Sequence, residues 1–114
     1  MKKEKIVFKS ELILKQRKKQ ALSQAKRLSV QLCKRFGAKE VLLFGSLAKG
    51  RFDHASDIDL AVKGMQADYL KGYAFCLGET DFPLDLRVYE EMPAWLKKKV
   101  DKEGRILYAG KKAN

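Results

Sequence analysis

The tightest constraint on this chain of 114 residues lies in its middle, where two short apolar runs flank a polar segment. Val41-Leu42-Leu43-Phe44 runs straight into Gly45-Ser46, and ten residues later comes Ser56-Asp57-Ile58-Asp59-Leu60-Ala61-Val62. The first run reads as a buried strand. The second alternates polar and apolar before turning wholly apolar, and also reads as a strand. Gly45 permits a tight turn and a close approach of backbone to a ligand. Ser46 suits the N-cap of a short helix over residues 47–49, whose free N–H groups can hold phosphate oxygens. Lys49 and Arg51 bring positive charge beside that turn.

Side chains alternate faces along a strand, so Asp57 and Asp59 share one face, roughly 6–7 Å apart, with Ile58 and Leu60 on the other. Two carboxylates at that separation repel by roughly 3 kcal/mol at an effective dielectric of about 20. A cation between them relieves the repulsion, and Mg2+ is commonly held by one or two carboxylates together with substrate phosphates. Taken alone, Asp-x-Asp reads more simply as a loop end with Asp59 paired to a nearby Lys or Arg. The Gly-Ser turn ahead of it changes that balance.

The whole arrangement, strand, Gly45-Ser46-Leu47-Ala48-Lys49-Gly50, then Ser56-Asp57-Ile58-Asp59-Leu60-Ala61-Val62 on the next strand, resembles the nucleotidyltransferase superfamily of the DNA polymerase β type. More narrowly, it resembles the minimal nucleotidyltransferase (MNT) domains. That resemblance implies a polymerase β-like palm and a third carboxylate on a later strand. Asp85, in Pro83-Leu84-Asp85-Leu86-Arg87-Val88-Tyr89, fits: alternation puts Asp85 and Arg87 on one face and Leu84, Leu86 and Val88 on the other. Asp81 competes, but it lies in the polar turn before the strand.

The resemblance further implies that Asp57 and Asp59 hold two Mg2+ ions on the triphosphate of ATP, and that Gly45 and Ser46, with Lys49 and Arg51 nearby, hold its phosphates. Asp85 would join one metal and help deprotonate the acceptor hydroxyl. Short MNT domains of this kind are often the antitoxin half of HEPN/MNT pairs, in which AMP passes to a tyrosine of the HEPN ribonuclease toxin. A HEPN-domain partner, in a hetero-oligomer or with a homo-oligomer, is therefore implied. Transfer to a small hydroxylated molecule, as in aminoglycoside nucleotidyltransferases, and neutralisation of a partner by binding alone are the alternatives.

Along the chain, residues 1–9 read as a flexible arm or edge strand. Residues 10–36 read as a basic amphipathic helix with Leu22, Ala25, Leu28, Ser29, Leu32 and Phe36 on its apolar side. Gly37 is its natural stop. Leu12, Ile13 and Leu14 point three ways, and Lys18 intrudes on the stripe. A second helix is expected over 65–77 with Leu70, Tyr73, Ala74 and Leu77 inward and Gly72 a weak point. A third helix is expected over 94–102, opened by Pro93, and Trp95 and Leu96 read as core or partner contacts. Residues 105–108 read as a last short strand, and 110–114 as a disordered tail. The catalytic core spans 41–108 of a single domain. The fold class is α+β, a small mixed β-sheet with helices packed mainly on one side.

Net charge is +11, and all of it lies early: residues 1–39 hold thirteen Lys or Arg against two Glu, whereas residues 40–114 hold twelve of each sign. A solvated helix face, an acidic partner and nucleic acid each account for this. Nucleic acid ranks last, because the basic stretch has few aromatics for base stacking. Cys33 and Cys76 lack metal-type spacing and read as small buried hydrophobes. His54 reads as a solvated loop residue. No apolar run nears the roughly 18 residues a membrane-spanning helix needs, and the cytoplasm is the default location.

Overall fold

A computed structural model describes the backbone of residues 2–53, 55–65 and 68–110, and side chains from residue 9 onward within those ranges. The expectations for His54 and for residues 111–114 fall outside them.

Helix α1 spans Lys2–Phe36. It begins in the segment read as an arm or edge strand, and the physical reason is continuity. No Gly or Pro interrupts Lys2–Phe36, and its Lys, Gln, Leu, Ala and Glu are strong helix formers. Ile6-Val7-Phe8 favours a strand only where a neighbouring strand exists to pair with it. The helix stops at Gly37, which takes a left-handed φ of 76°. Ala38 N–H then donates to the Leu32 carbonyl (3.0 Å).

Strands β1 (Glu40–Phe44), β2 (Ile58–Lys63), β3 (Leu84–Val88) and β4 (Arg105–Ala109) form one sheet in the order β3-β2-β1-β4. β1 pairs antiparallel with both β2 and β4, and β2 pairs parallel with β3. A parallel pair needs a long crossover. Here it is supplied by α3 (Tyr69–Glu79), while a short α2 (Gly45–Ala48) follows β1 and α4 (Ala94–Glu103) precedes β4.

The sheet has two covered faces. Val41, Leu43, Ile58, Leu60, Val62, Leu84, Leu86 and Val88 pack with Ala21, Ala25, Leu28 and Leu32 of α1 and Cys76 of α3. On the reverse, Leu42, Phe44 and Ala61 meet Met92, Leu96 and Val100, so α4 and the short turn before it, Tyr89–Glu91 and Met92, cover that side. The α1 stripe expected from the sequence is the stripe observed. Ser29, buried within it, donates its hydroxyl to the Ala25 carbonyl (2.8 Å).

Helix α3 differs from expectation. It starts at Tyr69, and Leu70, Ala74 and Leu77 face outward, with Leu70 78% exposed. The inward face carries Tyr69, Gly72, Tyr73 and Cys76. Two hydrogen bonds fix this rotation: the Tyr69 hydroxyl donates to the Leu86 carbonyl and the Tyr73 hydroxyl to the Leu84 carbonyl (2.9 Å). Gly72 is a close-packing point rather than a weak one. A Cβ there would lie 2.9 Å from Met65 Cε and 3.1 Å from Leu32 Cδ2. Leu96 is buried as expected, whereas Trp95 is 67% exposed and belongs to no core.

These faces give a paired expectation. Leu32→Ala should lower unfolding free energy by about 3 kcal/mol through lost burial and a residual cavity. Leu70→Gln should change it by about 0.5 kcal/mol or less. Urea denaturation of both variants checks the rotation of α3 directly.

Candidate active site

Each predicted acidic residue can be traced to the element that delivers it. Asp53 Oδ1 accepts from the Ala55 N–H (2.9 Å) and the Ser56 hydroxyl (3.1 Å), and Ser56 Oγ accepts from the Asp53 N–H (3.0 Å). This closed turn leads to Asp57, which lies one residue before β2 rather than on the strand as expected, so that only Asp59 of the pair is a strand residue. Ile58 N–H donates to the Pro83 carbonyl (2.8 Å), which ties the start of β2 to the start of β3. Phe52 and Phe82 pack edge to face beneath the junction, with centroids 5.7 Å apart.

Register does the rest. Asp59 stands opposite Phe44 on the antiparallel side and opposite Asp85 on the parallel side. Their common face is the one α4 covers, away from Ile58, Leu60, Leu84 and Leu86. Asp81 lies in the bend before β3, off the strand, so Asp85 is the carboxylate that the sheet brings to Asp59.

Gly45 follows Phe44 with φ +73°, and a Cβ added to it would overlap the Asp59 carboxylate. Both the backbone conformation and the close approach therefore require glycine. Ser46 is placed differently from expectation. Phe44 is the N-cap of α2, no side chain caps it, and Ser46 lies inside the first turn. The Ser46 carbonyl accepts from the Lys49 N–H (3.1 Å) and the Arg51 N–H (2.8 Å), so the basic pair folds back over the turn. Lys49 forms an ion pair with Glu103 of α4 (3.1 Å), and this hydrogen bond holds the Glu103 carboxyl below its usual range. Arg51 is exposed.

The acidic cluster is electrostatically tense. Burial pushes the Asp59 pKa up to about 6, and the charges of Asp85 and Asp57 push the same way, against a smaller pull from Arg87. Arg87 Nε donates to both Asp85 oxygens (3.1 and 3.4 Å). Two partners of the site, Arg87 as the counter-charge of Asp85 and Glu103 as the anchor of Lys49, were not singled out by sequence reasoning. Arg87 was visible two residues from Asp85 on one strand face. Glu103 lies 54 residues from Lys49, beyond any local signal.

The donor set is all carboxylate oxygen, which suits a hard divalent cation, and the mutual repulsion around Asp59 is what such a cation relieves. Among the described residues no three such groups already converge as a closed metal cage. Asp85 is engaged by Arg87, so a cation there competes with the guanidinium.

Two expectations follow. Between pH ~4 and ~6 native Asp59 keeps a proton that the unfolded chain releases, so its contribution to stability falls as pH rises through that window. Asp59→Asn should therefore be more stable than the wild type by about 1 kcal/mol at pH ~7.5, after allowance for solvent screening, and equal to it at pH ~4, as read by urea denaturation. Gly45→Ala should lose about 1–2 kcal/mol from the left-handed backbone alone. Its structure, solved by crystallography, should show the Asp59 carboxylate displaced.

Comparison with known proteins bears on the family and the fold. A sequence model described as a nucleotidyltransferase domain matches residues 25–108. MJ1547 of Methanocaldococcus jannaschii, named provisionally as a protein adenylyltransferase, is 30% identical over 68 residues, 60% of this chain and 53% of that protein. The chain thus spans about half the length of that curated relative. A solved minimal nucleotidyltransferase superposes with a TM-score of 0.60 at 26% identity, over 70% of this chain and 86% of its own. A toxin–antitoxin complex with AMP-PNP superposes with a TM-score of 0.57 at 24% identity, over 74% and 73% of the two chains. The MntA–HpeT toxin–antitoxin pair shares the fold at TM-score 0.63 and 19% identity over the same shares. With the family model covering most of its length and the Gly-Ser turn set against paired acidic strands, this chain belongs to the nucleotidyltransferase domain family.

Proposed function

We propose that this chain is a Mg2+-dependent, cytoplasmic nucleotidyltransferase that moves AMP from ATP to a hydroxyl of a partner protein, the tyrosine of a HEPN-domain toxin, and so acts as an antitoxin. The observation that carries it is the register match of Asp59 with Asp85 beside a glycine that yields its side-chain space to Asp59. Support for the acceptor class comes from the toxin–antitoxin complexes that share the fold, one of them with AMP-PNP, and from the protein adenylyltransferase name of the archaeal relative.

In this reading Asp57, Asp59 and Asp85 would hold two Mg2+ ions, which supply charge neutralisation on the triphosphate. The backbone at Gly45 and Ser46 would lie against the β- and γ-phosphates, with Lys49 and Arg51 adding positive charge at the same turn. The acceptor oxygen forms a bond to the α-phosphorus, the bond from that phosphorus to the bridging oxygen breaks, and pyrophosphate leaves. Asp85 takes up the acceptor proton. Alignment of the two reactants and charge placed in advance supply most of the rate.

The deciding experiment is intact-mass analysis of a co-purified HEPN-domain partner after incubation with ATP and Mg2+. Wild type should add one or more AMP units, and Asp59→Asn should add none while keeping an unchanged circular dichroism spectrum. A stable complex with no mass gain in either case would leave neutralisation by contact as the function. AMP on a small hydroxylated molecule but not on the partner would favour the small-molecule reading.

A further inference from the structure

We propose that the N-terminal half of α1 is a docking arm that grips an acidic, leucine-bearing surface of the protein that receives the nucleotide. The inference rests on the reading that the acceptor is a protein.

Its first ground is where α1 points. A 35-residue helix is about 52 Å long, whereas a five-residue strand is about 17 Å. The molecule measures 59 × 29 × 25 Å. Moving toward its N-terminus, α1 meets the chain in a fixed sequence. Arg27 donates to the Glu79 carbonyl (2.9 Å), Gln24 accepts from the Thr80 hydroxyl, Arg17 stacks on Phe82 (4.8 Å to the centroid), and Lys18 reaches Gly50. Those contacts lie at the end of α3, in the turn before β3 and just after α2. That is the end of the sheet carrying Gly45, Asp57, Asp59 and Asp85. The turns of α1 before Arg17, about 22 Å of helix, therefore project past the end of the sheet that carries the acidic site, from the face opposite α4.

The second ground is what the overhang carries. Residues 9–20 contain five Lys or Arg and one Glu, and none of them is buried. Leu12 and Ile13 are 55% and 51% exposed, side by side among those charges. A basic helix with an apolar pair fits an acidic surface with apolar side chains of its own, the helix-in-groove mode of recognition. A nucleic acid backbone would match the charge but leave Leu12 and Ile13 without a contact. A second copy of this chain paired arm to arm would bring like charge to like charge. The family match begins at residue 25, so the arm lies before the matched region. Held there, an acceptor lies at the end of the sheet that carries the site, and its hydroxyl is kept within reach of the reacting phosphorus.

The test uses the full chain and a HEPN-domain acceptor, with calorimetric affinity at low and high salt and steady-state transfer. The variants are Leu12→Gln with Ile13→Gln, and Lys15→Glu with Lys19→Glu, helix-compatible changes whose helicity is checked by circular dichroism. Both pairs should raise Kd and the KM for the acceptor by roughly tenfold and leave kcat within about twofold. Added salt should weaken the wild-type complex. Asp57→Asn should bind like the wild type and transfer nothing. Transfer by the wild type with both arm variants unchanged would overturn the arm and leave the enzyme reading intact. An arm-dependent complex with no transfer would do the reverse. Failure of the wild-type chain to bind any HEPN-domain protein would overturn the arm. So would tighter binding of single-stranded RNA than of the acceptor, lost with the charge variant alone.

Discussion

The register of β2 is the constraint on which the rest depends. β2 lies between an antiparallel neighbour and a parallel one, and one residue of it, Asp59, stands opposite Phe44 at the end of β1 and opposite Asp85 of β3 at once. A slip of one position would turn Asp59 into the face packed by Leu28, Leu32 and Cys76, and would bring Ile58 and Leu60 out of it. The cost of burying a lone carboxylate there is what makes the correct register unambiguous. The same residues that define the core thus define the site.

That register carries an electrostatic cost. The protein has a net charge of +11, yet its sheet sets Asp59 beside Asp85, with Asp57 just before β2, and keeps the basic excess on another element. Nearby cations are committed locally, Arg87 to Asp85 and Lys49 to Glu103. The tension at Asp59 is therefore only partly offset. Functional sites commonly retain such tension, because the ligand rather than the fold resolves it.

Much of this was legible in the sequence. Strand alternation alone assigned Asp85 and Arg87 to one face and Leu84, Leu86 and Val88 to the other. The α1 stripe from Leu22 to Phe36 was readable because charged residues mark its opposite side. Helix α3 was not readable in the same way. Between Tyr69 and Glu79 only Lys71 and Glu79 are charged, so either face could pass for the inner one, and two tyrosine hydroxyls seeking strand carbonyls made the choice. The start of α1 misled for a related reason: Ile6-Val7-Phe8 looks strand-like locally, and only the unbroken helix behind it decides otherwise. The role of Ser46 turned on one backbone position, since Phe44 rather than Ser46 ends the extended chain.

The side of the sheet that bears the carboxylates has a single helical cover, α4, packed on Leu42, Phe44 and Ala61. Asp57 and Arg87 are exposed, and β3 is an edge strand, so the acidic end opens sideways to solvent. Water, at high concentration and with a hydroxyl of its own, is then a standing competitor for the same phosphorus. A nucleotidyl donor seated on this surface faces slow, unproductive hydrolysis until an acceptor excludes that solvent. On the proposed reading, fidelity in such a domain would be a matter of who arrives to close the site, not of a closure the sheet performs itself.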